Sequence, residues 1–186
     1  MAGGSLLRSL PLEGLSSSRL WAHLDPGLRA LAARSLYAHD WGDAPTRREA
    51  DLAVAQALRS REASVRRLPV EKRALYLARL VRPNDRLASS LLLAFHLKLR
   101  RPLLGTFLDA LGIPHRDGLI SDDHGLGAPE PAALARAAST LFVEHAAEEV
   151  ETYLAALLAM DPDVWGGLAK LLHERAESAR LDDSGT

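Results

Sequence analysis

Residues 85–111 read DRLASSLLLAFHLKLRRPLLGTFLDAL, and this stretch decides the fold class. Apolar side chains cover most of the circumference of a helix over 85–99, which is typical of a buried helix. Pro102 kinks or restarts that helix, and 103–111 continues as a second apolar helix. Gly112 fits the left-handed position that closes a helix. We therefore predict an apolar helical hairpin or kinked helix at the centre of a helical bundle.

The composition around this stretch also favours helix. The chain has 186 residues, of which 37 are Leu and 31 are Ala, whereas only 14 are Val, Ile or Thr. Leu and Ala are strong helix formers, and the β-branched residues that favour strands are scarce. The sequence contains no Cys, which excludes a disulfide scaffold, a Cys-ligated zinc module and a thiol nucleophile. We expect an all-α fold of one compact bundle with about six to eight helices.

The helix signals divide the chain into three segments. We predict a flexible N-terminal arm over 1–15, an all-helical domain over 16–180 and a polar tail over 181–186. Within the domain, Asp25-Pro26 and Asp161-Pro162 combine an N-cap carboxylate with a proline that starts a helix.

Three further local patterns bear on the site. Leu52, Ala55 and Leu58 share one face of a helix that begins near Thr46. The longest helix is expected to run from Pro131 to about Met160. The segment 114–129 is the one long irregular stretch, and a loop of this length in a compact domain is often functional or mobile.

No segment is apolar for long enough to cross a bilayer, and the N-terminus lacks a convincing signal-peptide core. We therefore expect a cytoplasmic protein that does not contact a membrane.

The charge is distributed very unevenly along the chain. Residues 1–102 carry 18 basic and 9 acidic side chains, whereas 103–186 carry 5 and 15, so the halves have formal charges of +9 and −10. Three interpretations compete. The halves neutralise one another within one bundle, or they meet across a homo-oligomer, or the basic segment binds phosphates.

The third interpretation concerns the basic segment 59–101. Its only aromatic residues are Tyr76 and Phe95, which argues against base stacking. The run 66–73 could join two helices of a helix-turn-helix, although the signal is weak. The candidate nucleic-acid residues are Arg59, Arg61, Arg66, Arg67, Lys72 and Arg73.

The irregular loop gathers imidazoles and carboxylates within ten residues. The candidates for binding a ligand or partner are His115, Arg116, Asp117, Asp122, Asp123 and His124. Such groups bind hard and borderline metal ions. The spacing matches no metal motif, however, and a solvated polar loop is the simpler interpretation. We expect no metal and no cofactor.

Glu144, Glu148 and Glu151 follow the i, i+4, i+7 spacing of one helical face. A di-iron bundle would use Glu-x-x-His, which this chain lacks. We interpret the three residues as an exposed acidic face, which would repel itself unless basic residues lie opposite.

No nucleophile-elbow, phosphate-loop or dinucleotide motif occurs, and this favours a non-enzymatic function. The leading hypothesis is a soluble helical protein that acts through protein–protein contacts, among which homodimer formation is one candidate. Two alternatives remain open. One is a nucleic-acid-binding regulator that uses 59–101, and the other is a metal- or small-ligand-binding helical enzyme that uses the 115–124 loop.

Overall fold

The computed structural model describes residues 6–38, 44–120 and 127–183. These residues form eleven α-helices, one short 3-10 helix and one two-stranded hairpin, which confirms the predicted all-α class. The helices divide between two compact units, where the sequence predicted one bundle of six to eight helices. In the described part of the chain, no helix is long and apolar enough to cross a membrane.

The two units carry opposite charge. One unit, Ser17–Leu99, has 15 basic and 8 acidic residues and a formal charge of +7, and we call it the basic unit. The other comprises Met1–Ser16 and Arg100–Thr186. It has 8 basic and 16 acidic residues and a formal charge of −8, and we call it the acidic unit.

The basic unit is built from six helices, of which one is apolar and buried at the centre of the unit. The helices are α1 (Ser17–His23), α2 (Pro26–Ala38), α3 (Ala44–Ala57), α4 (Glu62–Arg66), α5 (Val70–Ala78) and α6 (Asp85–Leu99). Helix α2 packs against α5 and α6, and α3 packs against α4, α5 and α6. Leu87, Leu91 and Leu92 of α6 are fully buried, as their apolar surroundings in the sequence predicted.

Helix α3 buries a different face from the one expected. The buried side chains are those of Ala50, Asp51, Val54 and Ala55, whereas Leu52 and Leu58 are 44% and 43% exposed. The expected face of Leu52, Ala55 and Leu58 is therefore wrong for two of its three members. Small residues such as Ala50 let α3 pack closely against its neighbours, and the buried Asp51 pairs with Arg73.

The acidic unit contains the remaining elements. They are a 3-10 helix (Leu6–Arg8), α7 (Arg101–Leu111), β1 (His115–Arg116), β2 (Leu119–Ile120), α8 (Pro131–Glu144), α9 (Ala147–Met160), α10 (Pro162–Trp165) and α11 (Leu168–Asp183). The 3-10 helix packs against α9 and α11. Leu7, Leu10 and Leu15 are buried, so the described part of segment 1–15 lacks the exposure expected of a loose arm. Helix α11 continues to Asp183, into the segment predicted as a polar tail.

The helix expected over 131–160 is two helices. The backbone leaves the helical conformation at His145 (φ −129°, ψ 160°) and Ala146 (φ −62°, ψ 134°). Helix α8 packs mainly against α7, whereas α9 packs mainly against α11 and α10. The break lets the chain change direction between these two sets of neighbours, a tertiary demand that helix propensity does not reveal.

Candidate functional site

A buried ion pair lies at the centre of the basic unit. Asp51 of α3 is 2% exposed, and its Oδ1 accepts hydrogen bonds from Arg73 Nε at 2.8 Å and from the Tyr37 hydroxyl at 2.9 Å. Arg73 Nη2 donates to Oδ2 of the same carboxylate. The guanidinium of Arg73 also lies over the Tyr37 ring, 4.5 Å from its centroid. One carboxylate thus joins α2, α3 and α5.

The environment of this pair shifts two pKa values. Burial raises the pKa of the Tyr37 hydroxyl, and the charge and hydrogen bond of Asp51 raise it further. Burial opposes the charge of Arg73, but the hydrogen bond and charge of Asp51 outweigh it, so the pKa of Arg73 is raised. Arg73 is therefore held in its charged form beside a neutral tyrosine, which suits a structural role.

The surface of α3 that faces away from this pair forms one wall of an open groove in the basic unit. The groove has a volume of about 610 Å³, and its lining residues are Pro45, Arg48, Glu49, Leu52, Glu62 and Arg86. Arg48 Nε lies 3.3 Å from Glu62 Oε1, and Arg86 Nε lies 3.5 Å from Glu49 Oε2. The arginine side chains remain 69% and 76% exposed. We call this feature the α3 groove.

The carboxylates of the α3 groove are held by more than one donor each. Arg66 donates to Glu62, and this hydrogen bond lowers the pKa of Glu62, with a smaller effect from the charge of Arg48. Asn84 Nδ2 donates to Glu49 Oε1 at 3.0 Å. The glutamate side chains are less exposed than the arginine side chains. Arginine carries five N–H donors, so each guanidinium keeps donors that can bind another molecule.

The six nucleic-acid candidates separate into three groups. Arg59, Arg61, Arg67 and Lys72 are exposed around α4 and the start of α5. Arg66 is exposed but pairs with Glu62. Arg73 is committed to Asp51, with only 15% of its side chain exposed, so it does not offer its charge to a phosphate. The candidate helix-turn-helix also has a first helix of only five residues.

The candidate loop begins with a β-hairpin rather than an irregular chain. His115 pairs with Ile120 and Arg116 with Leu119, and the turn residues Asp117 and Gly118 have φ values of 51° and 80°. Two positive φ values are typical of a type I′ turn, for which Asp-Gly is a preferred sequence. The Asp117-Gly118 pair is therefore a local signal for the hairpin that the sequence already contains. The other three candidates, Asp122, Asp123 and His124, lie outside the described residues.

Both ring nitrogens of His115 are engaged in this hairpin. Nδ1 accepts a hydrogen bond from the Gly118 amide at 3.1 Å, and Nε2 lies 3.1 Å from Asp109 Oδ1. Arg101 Nη1 lies 3.9 Å from the Asp117 carboxylate. His115 therefore fastens the hairpin to α7. Across the described ranges, no group of three His, Asp or Glu side chains is arranged to hold a metal ion.

The predicted acidic face does not form. Glu144 ends α8, Glu148 lies in the first turn of α9, and Glu151 is buried at 4% exposure. The interpretation as one exposed helical face is wrong, because the break at His145 places Glu144 on a separate helix. Glu149 instead pairs with Arg100, with 2.7 Å between Oε1 and Nη2.

The break creates an exposed corner, Val143–Glu148, that we call the α8–α9 corner. Val143 is 86% exposed, more than any other large apolar side chain in the described part of the protein. Glu144 and Glu148 are exposed on either side of the break. Thr106 Oγ1 lies 3.5 Å from both Glu144 Oε2 and His145 Nε2, which ties the corner to α7.

Comparison with known proteins finds no family model that matches the chain, and no curated protein or solved structure that is significantly similar to it.

Proposed function

We propose that this protein is a binding module whose basic unit takes up an acidic surface of a protein partner. The observation that carries the proposal is the formal charge of +7 on the residues 17–99, beside −8 on the rest of the chain. A surface with such an excess attracts oppositely charged partners and raises their association rate. The proposal assumes the cytoplasmic setting expected from the sequence.

The α3 groove supports a protein partner in preference to a nucleic acid. Leu52 and Pro45 offer apolar contact between the charged groups. Protein interfaces combine an apolar centre with a polar rim and are enriched in arginine.

Nucleic-acid binding has weaker support from the same unit. Arg73 is held by Asp51, and Arg66 shares its charge with Glu62. Trp21, Tyr37 and Phe95 are buried, so these rings offer no surface on which a base could stack. Binding of duplex DNA therefore serves as the competing outcome of the experiment.

The experiment compares two polyanions of similar charge. Labelled oligo-glutamate and labelled duplex DNA are titrated with the full chain, and binding is followed by fluorescence anisotropy at about 50 and 200 mM salt. We expect the peptide to bind at the lower salt concentration and to bind more weakly at the higher one. Binding of duplex DNA without binding of oligo-glutamate would overturn the proposal.

A matched pair of variants tests whether the α3 groove is the binding surface. In the double variant Arg48→Glu with Arg86→Glu, we expect affinity for oligo-glutamate to fall by about tenfold or more, because two attractive contacts become repulsive. The control is Arg34→Glu with Lys98→Glu, which changes the charge of the same unit equally at exposed positions outside the groove lining. An equal loss in both variants would place the binding surface elsewhere on the unit.

A further inference from the structure

We infer that the partner of the α3 groove is a second copy of this chain, which inserts the α8–α9 corner. The inference rests on the proposed function, since it identifies the protein that supplies the acidic surface. It places Val143 against Leu52 in the groove. It pairs Glu144 and Glu148 with the two arginines of the groove.

Val143 is the feature of the corner that needs a partner. It is 86% exposed, at the end of a helix in which Leu134 and Leu141 are almost fully buried. A single exposed apolar side chain is common on protein surfaces. Here, however, it directly precedes the exposed Glu144 and shares the corner with the exposed Glu148. This combination matches the composition of an interface with an apolar centre and a charged rim.

The carboxylates in the corner and beside it differ in how free they are to bind another molecule. Glu149 is held by Arg100 at 2.7 Å, so its charge is already paired within the acidic unit. Glu144 and Glu148 are both exposed, and the only hydrogen bond to the Glu144 side chain seen in the described residues is a long one from Thr106. These two carboxylates are therefore the ones that the corner presents to another molecule.

The α3 groove offers side chains that are complementary in chemistry to those of the corner. Leu52, 44% exposed, gives an apolar contact for Val143. Arg48 and Arg86 stand at the walls with their side chains mostly exposed, backed by Glu62 and Glu49. A volume of about 610 Å³ has room for the valine and for the ends of neighbouring side chains.

Charge complementarity favours a second copy over an unrelated protein. The two units have nearly equal and opposite formal charges of +7 and −8, so each copy carries both halves of the contact. Each copy therefore offers a basic groove and an acidic corner to another copy. Such a contact joins two different surfaces, which permits a closed dimer or a longer assembly.

Sedimentation equilibrium of the full chain tests the inference. At about 50 mM salt, we expect the apparent mass to rise above 20.1 kDa as protein concentration increases, and to fall again when salt screens the charges. Val143→Ser is expected to weaken association, because it removes the apolar contact. A mass of one chain at every concentration would overturn the inference.

A charge exchange gives the sharper test. Arg48→Glu with Arg86→Glu makes the groove acidic, and Glu144→Arg with Glu148→Arg makes the corner basic. Each double variant alone is expected to lose self-association by about tenfold or more. An equimolar mixture of the two should associate again, because the basic corner of one then fits the acidic groove of the other. The control Arg34→Glu with Lys98→Glu should associate like the unaltered chain.

The outcomes separate this inference from the proposed function. If the unaltered chain is a monomer but binds oligo-glutamate through the groove, the partner is a different protein. The inference then fails, whereas the proposed function stands. If neither self-association nor peptide binding occurs, both fail. Self-association that survives both exchanges, or a mixture that does not associate, would show that these two surfaces do not meet.

Discussion

Arg73 and Asp51 form a bidentate ion pair inside the basic unit, with Arg73 Nε donating to Oδ1 at 2.8 Å and Nη2 donating to Oδ2. They are separated by 22 residues in the chain and belong to α5 and α3. Because α3 also supplies Arg48, Glu49 and Leu52 to the groove, the pair fixes the helix that carries the candidate site. Its integrity is therefore a condition for the proposed binding surface.

Replacement of Asp51 by Asn should destabilise the protein by about 3 kcal/mol, since it leaves the buried guanidinium of Arg73 without its counter-charge. The measurement is the midpoint of urea unfolding followed by circular dichroism. Glu71→Gln is the control, because it removes a carboxylate that is exposed on α5. Equal midpoints for Asp51→Asn and the unaltered chain would contradict the structural role of the pair.

Stability should decline with rising pH above 10. Burial raises the pKa of Tyr37 above its ordinary value of 10.0, and burial also raises that of Tyr153. A raised pKa means that folding favours the neutral hydroxyl. This contribution is complete below pH 10 and is lost as the unfolded chain ionises above it. Above pH 10, the midpoint of urea unfolding should fall less steeply with pH in Tyr37→Phe than in the unaltered chain. Equal slopes would contradict the contribution of Tyr37.

Gly118→Ala should destabilise the acidic unit by about 1–2 kcal/mol. The residue has a φ of 80°, and a Cβ built on it would lie 2.8 Å from Leu104 Cβ, so both the backbone and the packing disfavour a side chain. Gly127→Ala is the matched control, because a Cβ there meets nothing within 4 Å. Thermal unfolding should separate the two variants, and equal melting temperatures would argue against the turn geometry.

His115→Ala should loosen the hairpin without unfolding the helices. The substitution removes the acceptor of the Gly118 amide and the contact to Asp109. Amide hydrogen exchange at Gly118, followed by NMR, should become faster by about tenfold, which corresponds to the loss of about one hydrogen bond. His173→Ala on α11, where the histidine is exposed, should leave this exchange rate unchanged.

Short-range signals in the sequence predicted several elements correctly. Gly112 has the expected left-handed conformation (φ 67°), and the Ile113 amide donates to the Leu108 carbonyl behind it. Asp161 accepts a hydrogen bond from the Val164 amide at the start of α10, as the Asp-Pro pair indicated. The Asp-Gly pair at 117–118 is an equally local signal, and it indicates the hairpin. The same residues were interpreted as part of an irregular loop of candidate metal ligands.

The sequence did not predict the α3 groove. None of its lining residues was among the six predicted nucleic-acid residues, and of its two arginines only Arg86 lies in the predicted basic segment 59–101. The sequence identified the basic segment, but it could not separate Arg73, whose side chain is only 15% exposed, from Lys72, which is exposed, because neighbouring residues on a helix point in different directions. It also treated Leu52 as part of a helix face together with Ala55. Asp51, a charged residue between Ala50 and Val54, was the available signal that the buried face of α3 contains an ion pair.

The sequence by itself determined the helical class, the helix caps and the division of charge between the two parts of the chain. These properties follow from composition and from interactions between residues a few positions apart. Tertiary structure alone decided the pairing of Asp51 with Arg73, the break at His145 and the position of Leu52 in an open groove. Each of these depends on which helices pack together, and residues distant in sequence set that packing through burial and charge, which local patterns do not encode.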